Sequence, residues 1–68
     1  MSELKITLKA ARVNAGLTIR DAAKIIGVAA STLISWEKNP EKISALFQSR
    51  IAEAYGISTD NIIFLVND

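Results

Sequence analysis

Apolar positions in this chain fall into short groups separated by three glycines and one proline. Leu4, Leu8, Ala11 and Ala15 recur at helical spacing and stop at Gly16, a natural left-handed cap. They predict a first helix over about Ile6 to Ala15. Thr18 is a good N-cap, and Asp21 three residues later completes a capping-box pattern, with Asp where Glu is commoner. The stripe Ala22, Ala23 and Ile26 then predicts a second helix over Ile19 to Ile26, closed by Gly27. So short a helix is unstable alone and must pack on something. Leu33 and Trp36 place a third helix from about Ala30 to Lys38, which Asn39-Pro40 breaks. Pro40 to Ile43 reads as a loop. Ser44 caps a fourth helix, whose apolar side is Phe47, Ile51, Ala54 and Tyr55 and whose end is Gly56. A fifth, short helix is expected from Ser58 or Thr59, covering Asp60 to about Leu65. No strand pattern competes. The expected fold is all-α, a compact bundle of about five short helices.

Two short helices joined by a tight glycine turn form a helix-turn-helix pattern, and the spacing supports it. Ala23, four residues before Gly27, gives a small side chain where steeply crossing helices approach. Gly27 supplies a positive φ at little cost. Leu33 and Trp36 plug the angle between the helices.

These residues resemble the lambda-repressor-like helix-turn-helix proteins: phage repressors, Cro-type proteins and XRE-like transcriptional regulators. The resemblance runs through LKAARVNAGLT, AAKIIGV, STLISWE and SALFQSRIAEAYGIS in order, over about Leu8 to Leu65. It implies a DNA-binding regulator, usually dimeric, with helix 3 in the major groove and the N-terminus of helix 2 against the backbone. It implies that Arg12 pairs with Glu37 across helices 1 and 3. Carried over by position, the base-facing residues are Ala29, Ala30, Ser31, Thr32, Ile34 and Ser35. The backbone-facing residues are Thr18, Ile19, Arg20, Lys38, Asn39 and Lys42. The expected partner is double-stranded operator DNA, with no small-molecule substrate, membrane or cofactor.

Four positions depart from the family pattern. Ala29 stands where Ser or Thr often caps helix 3, a loss of roughly 1 kcal/mol. Ala30 and Ser31 replace the Gln, Arg or Asn of many relatives, and Ile19 replaces a phosphate-touching Gln. None of Ala30, Ser31 and Ile19 can form a bidentate contact to a base. The expectation is modest specificity that leans on DNA shape and phosphate contacts.

Composition narrows the alternatives. With 68 residues, one domain spanning 1–68 is expected. There is no cysteine and no histidine, which removes disulfides, Cys/His zinc sites and the commonest catalytic bases and nucleophiles. The acidic residues are scattered and the glycines form no phosphate loop, so an enzyme is not expected. No stretch has signal-peptide or membrane-spanning character, and a cytoplasmic protein in a bacterial host is the reading. The ending Val66-Asn67-Asp68 lacks linker composition and suggests a full-length small protein. The formal net charge is only +1, so any basic patch must arise from local placement. That charge keeps a second function class open, a protein-interaction module of antirepressor or antitoxin type. Trp36 reads chiefly as a core residue, and Lys5, Lys9, Lys24 and Arg50 as solvated charges. The apolar run Ile62, Ile63, Phe64, Leu65 and Val66 is too dense for the core alone, so its surplus is a candidate homodimer contact.

Overall fold

The computed structural model describes residues 4–65. Four α-helices follow in order: α1 (Leu8–Asn14), α2 (Ile19–Ile26), α3 (Ala30–Lys38) and α4 (Ala45–Tyr55). Two 3-10 turns, Pro40–Lys42 and Thr59–Asn61, complete the regular structure among the described residues. The architecture is all-α, with α2 packed against both α3 and α4.

Local sequence explains the helix ends. Thr7, Thr18 and Ser44 each turn a side-chain oxygen onto the backbone N–H three residues on, at 3.1, 3.1 and 3.4 Å. Only this half of the capping box forms at Thr18 and Asp21. At Gly27, φ is +92°, and Gly27 and Val28 both donate their N–H groups to the Ala23 carbonyl, at 2.8 and 3.0 Å. That left-handed turn reverses the chain between α2 and α3, which a residue with a Cβ does only under strain.

The core runs through all four helices. Leu8, Leu33 and Ile51 are its largest fully buried side chains, and Ala22, Ala23 and Ile26 bring α2 down onto it. The small Ala22 and Ala23 let the helices approach closely. Trp36 is half-buried against this cluster, with its ring 5.3 Å from that of Phe47. Its role is packing, in line with its sequence spacing.

The two chain ends correct the sequence reading. Helix α1 starts at Leu8 rather than Ile6, because Thr7 caps it and Ile6 is drawn elsewhere. Ile6 forms an isolated parallel bridge with Ile62. Its N–H donates to the Asn61 carbonyl and its carbonyl accepts from the Ile63 N–H, both at 2.9 Å. The Asn61 side-chain amide also donates to the Leu4 carbonyl at 3.0 Å. The expected fifth helix is therefore absent: a single 3-10 turn leads into extended chain. The cause is visible in burial. Ile62 and Phe64 are buried, Ile63 is half-buried and Leu65 exposed, which is the two-residue period of an extended segment. Two adjacent β-branched residues favour that conformation. The expected Pro40–Ile43 loop is mostly the first 3-10 turn, sealed by Pro40 and Ile43 in the core and by the Gln48 side-chain amide donating to the Ile43 carbonyl at 3.1 Å.

Candidate nucleic-acid interface

Helix α3 is anchored on one side and open on the other. Leu33 is fully buried, and the Glu37 carboxylate turns inward to Arg12. With that side fixed, Ser31, Ile34, Ser35 and Lys38 are exposed. Their spacing of three, four and seven residues puts them on a single face. Ile34, 45% exposed, is the apolar centre of this stripe, with the Ser31 and Ser35 hydroxyls beside it.

The remaining candidate positions divide around that face. Ala29 is exposed at the N-cap of α3, where it makes no side-chain hydrogen bond, as its missing oxygen requires. Thr32 is half-buried. Ala30, expected to face bases, is half-buried against the core, because it lies one turn before Leu33 on the packed side. Ile19, expected at phosphate, is likewise half-buried against the core. Thr18 and Arg20 remain exposed at the start of α2, Lys38 at the end of α3 and Lys42 in the first 3-10 turn, with Asn39 half-buried between them. Sequence reasoning counted Ile34 among six base-facing candidates without setting it at their centre. The phase set by Leu33 and Glu37 was the signal for its central place.

The Arg12–Glu37 pair forms as the resemblance implied. Arg12 Nε donates to Glu37 Oε2 at 2.7 Å, Nη2 reaches Oε1 at 3.4 Å, and Nη1 donates to the Leu17 carbonyl at 2.9 Å. Both side chains are 10% exposed. The guanidinium thus ties the end of α1, the segment before α2 and the end of α3 together. Its hydrogen bond to Glu37 holds the Arg12 pKa above its ordinary value, against the opposing effect of burial. Tyr55, which sequence reasoning assigned only to the apolar side of α4, belongs to the same neighbourhood. Burial pushes its phenol up to about 12, the Glu37 charge adding to the effect and the Arg12 charge opposing it. Its buried hydroxyl has no partner among the surrounding protein groups.

The second of the two helices at the left-handed glycine turn, α3, has an open polar-rimmed face and a lysine at its far end, and as a helix is a rod of about 10–12 Å diameter. That rod matches the width of a B-DNA major groove. Among the described residues no three acidic side chains cluster where a metal could sit, and no helix is long and apolar enough to cross a membrane.

A family model described as Helix-turn-helix, that of the XRE and lambda-repressor-like proteins, matches residues 8–62. The chain belongs to that family. It is a family of DNA-binding transcription regulators rather than of enzymes. Helix-turn-helix members bind duplex DNA through their second motif helix, here α3. The matched span runs from the first residue of α1 to Ile62, the residue that closes the bridge with Ile6. No curated protein and no solved structure gives a match.

Proposed function

We propose that the chain is a small repressor or Cro-like regulator of phage or prophage type, which binds operator DNA as a homodimer in the bacterial cytoplasm with α3 in the major groove. The observation that carries this reading is the single exposed face Ser31, Ile34, Ser35 and Lys38, flanked by Thr18, Arg20 and Lys42. The two hydroxyls reach base edges, and Ile34 meets a thymine methyl, with Ala29 and Thr32 at the margin. Arg20, Lys38, Lys42, Asn39 and the Thr18 end of α2 meet phosphates on either side. Ser31, Ile34 and Ser35 make no bidentate base contact, so sequence preference comes largely from DNA shape and placement on the backbone.

Fluorescence anisotropy with duplexes from the DNA flanking the protein's own gene tests this. Affinity falls linearly on a double-logarithmic salt plot. Lys38→Ala and Lys42→Ala each reduce the slope by about 0.9, leaving the order of preferred sequences unchanged. Salt-insensitive binding, or none at low salt, contradicts the reading. The second reading is a protein-interaction module on the same fold. It is favoured by the net charge of +1 and by an isoleucine, not a polar residue, at the centre of the exposed α3 face.

The homodimer part of the reading loses some of its expected contacts. Ile62 and Phe64 belong to the core, and Val66 lies outside the described residues. Ile63, half-buried, and Leu65, exposed, remain accessible.

A further inference from the structure

Helices α2 and α4 leave large apolar side chains in solvent. Ile25, near the end of α2, is 58% exposed, and Leu46, in the first turn of α4, is 61% exposed. A groove of about 480 Å³ is lined by Ile25, Ile26, Arg50, Glu53 and Ala54. Leu46 lies one turn before Arg50 and so shares its face of α4. The groove lining carries one cation, Arg50, and one anion, Glu53. Among the described residues the one ion pair is Arg12–Glu37, so Arg50 and Glu53 have no ionic partner there. Arg50 is also held in place, its guanidinium carbon 5.3 Å from the centre of the Phe47 ring. A pre-positioned guanidinium loses little rotamer freedom when it meets a carboxylate.

We propose that this face binds a second copy of the chain about a twofold axis, with the two α4 helices antiparallel and the Arg50 of each copy against the Glu53 of the other. The inference rests on the homodimer part of the proposed function and moves its contact from the carboxy-terminal run to the α2–α4 face. Charge decides the occupant. A strongly acidic partner meets a like charge at Glu53, and a strongly basic one meets a like charge at Arg50. A second copy satisfies both at once, because a twofold axis pairs unlike positions of one patch reciprocally. Ile25 and Leu46 leave water in the same step. The proposed phosphate contacts at Thr18 to Arg20 lie at the other end of α2, roughly 9 Å along its axis from Ile25.

Sedimentation equilibrium tests this on the full chain, with thermal melts confirming that each variant folds. Wild type associates to a dimer as concentration rises. Arg50→Glu and Glu53→Arg each weaken association by about tenfold or more. An equimolar mixture of the two variants associates again, because the acidic pair of one then faces the two arginines of the other. Leu65→Glu leaves association unchanged. A monomer at every concentration overturns the proposal, as does a mixture no better than its components. Loss of the dimer in Leu65→Glu alone overturns this face while leaving pairing intact. None of these readouts involves DNA, so the DNA-binding reading stands or falls separately.

Discussion

Replacing Arg12 by alanine removes the one group that connects α1, the Leu17 carbonyl and Glu37. It leaves a carboxylate only 10% exposed without its cation, and a carbonyl without its charged donor. Breaking a buried pair from one side costs about 3–5 kcal/mol, chiefly through the abandoned charge. A chain of 68 residues has a total stability of roughly 3–10 kcal/mol, so the loss is a large part of the whole. At about 4–8 °C per kcal/mol, the midpoint falls by upwards of about 12 °C, or folding is lost at room temperature. Thermal melts followed by far-ultraviolet circular dichroism measure this directly. Replacing both partners, as Arg12→Met with Glu37→Leu, costs less than either single change, because neither charge is then buried alone. The pair's chief role is geometric: it fixes the end of α3 and thereby the aim of the exposed stripe. The double variant is therefore expected to keep most of the stability and to lose DNA affinity. A single Arg12→Ala variant that melts within about 2 °C of wild type would falsify this reasoning.

Two further predictions follow from individual sites. Ala29→Ser supplies the missing oxygen at the start of α3 and raises stability by about 1 kcal/mol, read as a higher midpoint in a urea melt; no gain means that this helix end is already satisfied. Tyr55→Phe removes a buried hydroxyl without a protein partner, so stability at neutral pH stays equal or rises by up to about 1 kcal/mol. The folded chain keeps the phenol protonated to about 12 while the unfolded chain releases the proton near 10, so the phenol's contribution is complete below pH 10 and lost towards pH 12. Wild type should therefore lose up to roughly 2–3 kcal/mol more than Tyr55→Phe across that window, and parallel pH profiles would show that the Tyr55 phenol is not shielded.

The middle of the molecule was legible because its information is local. Thr18, Gly27 and the Asn39-Pro40 break set the ends of α2 and α3 where their cap and turn chemistry places them. The chain ends were not legible, since their structure depends on a contact across the whole sequence. Nothing near Ile62 announces Ile6, and five consecutive apolar residues carry no period to distinguish helix from extended chain. The candidate interface was partly legible. The bounds of α3 could be read from its turn and its break, but exposure along it depends on helix phase, and phase is fixed by Leu33 and by the inward turn of Glu37. That rotation puts Ala30 against the core and Ile34 in front. The α2–α4 face was missed because Arg50 and Glu53, read along the sequence, are ordinary surface charges. They gain meaning from the groove they share with Ile25.

The central claim is that the outward face of α3 meets DNA. Amide chemical-shift mapping by nuclear magnetic resonance, with a duplex from the flanking DNA added in steps, tests it most directly. The account predicts the largest shifts at Ser31, Ile34, Ser35 and Lys38, smaller ones at Thr18 to Arg20 and at Asn39 to Lys42, and little change at Ile25 or Glu53. Shifts concentrated on the α2–α4 face, or none along α3 at saturating DNA, would contradict it.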